Sequence, residues 1–260
     1  MTPLFALLAK ALSTAAVVVL ASVMAELFGP FWGALVTSLP VATGPAYLFL
    51  SLDHSDSFIA TAALNSVVSV SALLVFLITY ARVGQRLRPL ASLGSALLTW
   101  TLASAVLRLV NWTVPWALVE VVTAFFIALR IARHIDVQLP VPRQTMARRW
   151  YDLPLRGGIV GSFVLLVVSV ADLLGPQATG IASVFPITLT SLLLLLRPRV
   201  GAAEAVMVAL ITLRGMIGLC GFLMTLHLLA IPLGAPWALL AGLGASLAWS
   251  GVMMVRRKRG

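Results

Sequence analysis

Charge is what the sequence has least of. Only 10% of its 260 residues are Asp, Glu, Lys or Arg, where a soluble domain carries about a quarter. No extramembrane domain of any size can be built from so little. There is one cysteine, Cys220, inside an apolar run, which excludes an internal disulfide. Catalytic signatures are missing too: there is no HExxH, no G-x-S-x-G, no Walker loop and no paired His-Asp set in a loop. ATP-driven transport by this chain alone is thereby disfavoured, and no cofactor is implied. His54 and His227 have no second metal ligand at useful spacing, so no metal is expected.

What is present is oil. Hydrophobic residues make up 61% of the chain, and mean hydropathy is +1.06. Apolar runs of about 20 residues recur from end to end, each long enough to cross a bilayer core. The fold class is an all-α integral membrane protein. The net charge of +10 suggests nucleic acid in a soluble chain. Here no basic stretch is interleaved with aromatics, and the arginines read as markers of the cytoplasmic side.

Nine spans are predicted, at roughly 4–26, 31–51, 57–80, 89–109, 113–133, 157–174, 177–196, 202–229 and 234–255. Each is taken as helix because a lone span in lipid must satisfy its own backbone hydrogen bonds. The first has a signal-peptide look, with Lys10 early and small residues near Ala25; retention is the preferred reading, cleavage the alternative. Arg82, Arg86, Arg88, Arg130, Arg133, Arg143, Arg148, Arg149, Arg156, Arg197, Arg199 and the tail from Arg256 fall on one side. Lys10, Arg108 and the acidic loop 53–56 fall on the other. This arrangement puts the C-terminus in the cytoplasm and the N-terminus outside. The segment 136–156 is the only long polar one and reads as a cytoplasmic linker, with anionic lipid head groups as an optional partner.

One stretch occurs twice. Residues 25–50, AELFGPFWGALVTSLPVATGPAYLFL, align with 171–196, ADLLGPQATGIASVFPITLTSLLLLL, at an offset of 146 without a gap. Glu26 falls on Asp172, Gly29-Pro30 on Gly175-Pro176 and Pro40 on Pro186. The same offset carries 62–79 onto 208–225, and Trp100 meets Trp249 after a three-residue gain. The predicted organisation is a first four-helix repeat (1–110), a linker helix and cytoplasmic loop (111–156) and a second four-helix repeat (157–260). The unpaired fifth span inverts the second copy relative to the first. Inverted repeats are a common plan of secondary transporters, with the site near the midplane where the repeats meet.

The prolines Pro40 and Pro186 sit near the middle of spans two and seven, where each should kink or break its helix. Gly44-Pro45 makes a true break likelier in the first copy. Matching Gly/Pro-interrupted spans point to a transport site; the plainer reading is a kink whose freed carbonyls are satisfied by Thr or Ser. Thr43 and Thr188 are the hydroxyls of interest. Arg214 lies about halfway along span eight, where arginine costs about 2.5–3.5 kcal/mol on insertion scales. It should therefore face the interior or a wet cavity. Either it holds an anionic group of a substrate, or it pairs with an intramembrane acid. The candidate partners are Glu120, Asp172, Glu204 and Glu26. These acids have a second reading as coupling or gating groups, and a plain one at helix starts. Asn65 reads first as packing glue between helices and second as a ligand contact. Gly242, Gly244, Ala245 and Gly251 read as close helix packing.

Residues 180–195, GIASVFPITLTSLLLL, followed by an Arg-Gly helix and Gly221–Leu223, resemble the small GlpM-like bacterial membrane proteins. These share a G-x₃–₄-F-P-T-type stretch followed by a helix pair. The resemblance covers each half separately, and the first copy departs from it with Leu39-Pro40-Val41. It implies a bacterial inner-membrane setting and a link to exopolysaccharide production. Two functions of different class remain. One is a secondary transporter or permease-like protein moving a small polar or anionic molecule. The other is a non-transporting accessory or scaffold of envelope or exopolysaccharide assembly. A membrane-embedded enzyme is a distant third. Oligomeric state is not encoded legibly.

Overall fold

The computed structural model describes residues 39–137 and 152–259, with the isolated position 16. Most of spans one and two, including Glu26, Gly29 and Pro30, lies outside the described residues, as does most of the polar linker. The described residues are helical, with no strand among them. In chain order the helices are α1 (Thr43–Asp53), α2 (Asp56–Val83), α3 (Pro89–Leu107), α4 (Val114–Ala132), α5 (Asp152–Ser169), α6 (Ala171–Ser183), α7 (Ile187–Val200), α8 (Ala202–Leu233) and α9 (Ala235–Arg259).

Among the described residues six spans are long and apolar enough to cross a membrane: α2, α3, α4, the α6–α7 pair taken together, α8 and α9. The apolar part of α5, Gly157–Ser169, is shorter. The chain is a multi-pass membrane protein. Its outer helices present large apolar side chains outward: Leu98, Leu102 and Val106 on α3, Trp116, Val122 and Phe126 on α4, and Leu240 and Leu247 on α9. That belt meets lipid.

The centre is α2, of which 89% of the most apolar stretch is buried. It packs against α8, α3, α6 and α4, and α8 in turn pairs along its length with α9. Small residues make the centre possible, since helices in lipid associate through close contact rather than hydrophobic exclusion. Ala60, Ala62, Ala63, Ser66 and Ser69 line α2 with little bulk, and Tyr47, Phe76, Tyr80 and Phe222 fill the gaps around them. At Gly180 the α6 backbone lies directly on α2, where a Cβ would fall 2.1 Å from the Ala62 carbonyl oxygen.

Local chemistry sets the helix ends. Ser55 caps α2, accepting from the Phe58 N–H at 3.3 Å. Pro89 and Pro115 occupy the first turns of α3 and α4, where a missing N–H costs nothing. The Asp56 carboxylate accepts the Ala235 N–H at 2.9 Å, tying the start of α2 to the start of α9. Within α6, Gly175 has φ +71° and Pro176 follows it. Glycine enters the left-handed region without penalty and proline restarts the helix. This is the physical content of the Gly-Pro signature at 175–176; Gly29-Pro30 lies outside the described residues.

Two small-residue expectations are corrected. A Cβ on Gly242 would meet the Phe222 carbonyl at 2.8 Å, as close packing requires, but Gly244 and Gly251 have nothing within 4 Å. Gly218, against Trp249 and Ser246, does the packing instead.

Candidate functional site

Proline 186 interrupts the α6–α7 span at its centre. Having no N–H, it cannot close the helical bond to the Ala182 carbonyl, and the chain turns. The Ile187 N–H bonds the Phe185 carbonyl across the proline at 2.7 Å. Pro186 has φ −75° and ψ 41°, close to an inverse γ-turn. Helix restarts as the Thr190 N–H reaches the Pro186 carbonyl at 2.8 Å.

Pro40 makes the same turn just before α1, and the residues preceding position 39 lie outside the described ones. The Val41 N–H bonds the Leu39 carbonyl at 2.7 Å, and the Gly44 N–H bonds the Pro40 carbonyl at 2.7 Å. Shifted by 146 positions, these are the same two bonds. Gly44-Pro45 sits in the first turn of α1, after the turn, so it follows the interruption and does not create it.

The two interruptions are joined. At the end of α6 the Ile181 and Ala182 carbonyls accept from the Val184 and Phe185 N–H groups, while the Gly180 and Ser183 carbonyls take side-chain donors, as lipid requires. Thr43 Oγ1, three residues after Pro40, donates to the carbonyl of Ser183, three residues before Pro186, at 3.0 Å. Ser66 Oγ on α2 donates to the Gly180 carbonyl at 2.6 Å. Tyr47 OH lies 2.7 Å from Ser66 Oγ; because the serine proton is committed to Gly180, the tyrosine is the donor. Ser183 Oγ bonds back to the Thr179 carbonyl at 2.8 Å. Just beyond the turn, the hydroxyls of Thr188 and Thr190 are buried without a hydrogen-bond partner among the described residues. Two free hydroxyls beside a broken helix are donors and acceptors for a polar guest.

Comparison with protein-family models, curated proteins and solved structures finds no match. What this centre does must therefore be argued from its own chemistry.

The remaining predicted residues are scattered. Arg214, expected to face an interior cavity, is exposed on α8, and no carboxylate among the described residues pairs with it. Its backbone carbonyl accepts from Trp249 Nε1 at 3.1 Å. Glu120 points inward from α4, beside the Ser71 hydroxyl and near Cys220, with Oε2 buried and unpartnered. Glu204 lies in the first turn of α8 beside Gly201, where a carboxylate meets the helix dipole. Asp172 is exposed, its Oδ1 lying 3.1 Å from His54 Nε2 without hydrogen-bond geometry. Asn65 bonds the Thr61 carbonyl of its own helix at 2.9 Å. At the proline turns the bonds between helices come from Ser66 and Thr43 instead. His227 Nδ1 is 2.8 Å from the Ala60 carbonyl, and among the described residues no cluster could hold a metal ion.

Sequence reasoning missed two groups. Tyr47 and Ser66 sit one residue or more away from the polar groups singled out, and nothing in their spacing marks the face they occupy. Arg197 was read as a loop charge at the membrane edge. It is buried in the last turn of α7, donating to Ser92 Oγ at 2.9 Å and to the Leu87 carbonyl, with the Tyr80 hydroxyl beside it. A signal existed: Arg197 follows an unbroken leucine run and leaves no room for a loop.

Proposed function

We propose that this chain is a secondary transporter or permease-like protein that moves a small polar or anionic molecule across the membrane. The observation that carries the reading is the pair of proline turns with one backbone bonding pattern, linked by the Thr43–Ser183 bond. Helices interrupted at corresponding points, meeting near the middle of the bilayer, are how carriers build a polar site in lipid. The unpartnered hydroxyls of Thr188 and Thr190 supply its chemistry. Pro40, Pro186, Thr43, Thr188 and Asn65 surround the centre in this reading. Arg214 would serve it only after a rearrangement that turns its face of α8 inward.

Two inverted four-helix halves, nine spans in all, give this centre its symmetry. Reciprocal packing supports the pairing: α3 touches α7 of the second half, and α9 touches α1 of the first. Under the 146-residue offset α1 corresponds to α7, and the Trp100–Trp249 match makes α3 correspond to α9. The setting is the inner membrane of a bacterium, with the C-terminus in the cytoplasm and the N-terminus outside. Glu26, Asp172, Glu120 and Glu204 are the acids available for coupling or gating. The chain is not an enzyme in this reading, and any driving force comes from a gradient.

The close seating of Gly180 on Ala62 favours a second reading, a rigid scaffold of envelope or exopolysaccharide assembly. Thiol access separates the two. In a Cys220→Ser background, a carrier lets a membrane-impermeant maleimide reach Thr188→Cys from one face or the other in sealed, oriented vesicles. Protection from both faces, under every solute gradient applied, would leave the scaffold.

A further inference from the structure

The ends of α2 and α4 and the turns that follow them line a half-open pocket of about 490 Å³, formed by Ala81, Arg82, Gln85, Arg86, His134 and Asp136 together with Ile131 and Ile135. That is the size of a small-molecule pocket. Gln85 Nε2 donates to the Asp136 backbone carbonyl at 3.0 Å and ties the two helix ends together. Arg82 is in the last turn of α2, Arg86 is in the turn that follows it, and both line the same space. No ion pair engages either of them among the described residues. Guanidinium forks in this arrangement suit the oxygens of a phosphate.

The wall that leads to this cavity is oily. The outer face of α4 exposes Trp116, Val119, Val122, Phe126 and Ile127, and Arg130 covers the Phe126 ring at 5.2 Å. A free anion has no use for that track; an acyl chain does. We propose that this pocket is a binding site for an anionic glycerophospholipid. Arg82 and Arg86 hold the phosphodiester, the Asp136 carboxylate and Gln85 take hydroxyl groups of the head, and the acyl chains lie along α4. The inference is independent of the transport reading.

The test uses the full chain in nanodiscs and native mass spectrometry. Phosphatidylglycerol is expected to stay bound at one equivalent and to raise the thermal midpoint, and phosphatidylethanolamine is not. Each basic residue at a membrane surface strengthens anionic-lipid binding about fivefold, so Arg82→Gln/Arg86→Gln should weaken retention roughly twenty-five-fold. Arg108→Gln, far from the pocket, should leave it unchanged. Equal retention by the double variant, or equal retention of phosphatidylethanolamine, overturns the site. Displacement of the lipid by millimolar inorganic phosphate overturns the lipid as its natural occupant. Should the double variant fail to fold, Arg86→Gln and His134→Ala, both at exposed positions, carry the same comparison with a smaller expected loss.

Discussion

Replacing Gly180 by alanine tests whether the centre of the molecule is built on backbone contact. The added methyl would lie 2.1 Å from the Ala62 carbonyl oxygen and 3.1 Å from Asn65 Cβ. Carbon and oxygen normally rest about 3.3 Å or more apart, so α6 must retreat from α2 by roughly 1 Å. Overpacking of this kind costs about 1–3 kcal/mol. The retreat also stretches the Ser66–Gly180 bond, now 2.6 Å, and interhelical bonds of this sort contribute about 0.6 kcal/mol in a bilayer. The expected loss is therefore about 2–3 kcal/mol, a fall in melting temperature of roughly 4–12 °C. Survival of the monodisperse peak on size exclusion after graded heating reads it directly. Gly94→Ala and Gly251→Ala, with open space around each Cβ, are the controls and should not lower the midpoint. Should Gly180→Ala melt with wild type, or the controls fall as far, the close-contact account of α2 and α6 is wrong.

Gly175→Ala should cost about 1–2 kcal/mol through backbone strain alone, because φ is +71° and no atom crowds the site; Gly158→Ala, in ordinary helix, should not. Arg197→Ala should lower the melting temperature more than Arg108→Ala does, by about 2–3 kcal/mol, since it strips partners from Ser92 and the Leu87 carbonyl at a buried position. Asp56→Ala should cost about 1 kcal/mol by uncapping α9, and Asp56→Asn should recover most of it. Thr43→Val should keep the fold, cost about 1 kcal/mol at most, and change how Thr188→Cys reacts with maleimide. Unchanged thiol reactivity would separate Thr43 from the proposed site.

How much of this was legible depends on the kind of information involved. Six of the predicted spans followed from hydropathy among the described residues, and the expected break at Pro186 occurs because a missing N–H acts wherever the proline sits. Gly175-Pro176 was visible as an oddity in the sequence, and its backbone angles explain why glycine stands there. The side chains were another matter. Arg214 was expected inside and lies exposed, while Arg197 was expected at the edge and lies buried. Asn65 drew attention, yet its neighbour Ser66 makes the bond between helices.

The sequence by itself determined that the chain lives in a bilayer, where most of the described helices run, and that one span must break at Pro186, because length, hydropathy and proline geometry are read along one dimension. Only the tertiary structure decided which side of each helix faces protein. In water an apolar stripe betrays the buried face. A helix such as α2 is apolar all round, and lipid is as apolar as a neighbouring helix. Orientation is then chosen by contacts between atoms distant in the chain, as where Thr43 meets Ser183 and Ala62 meets Gly180.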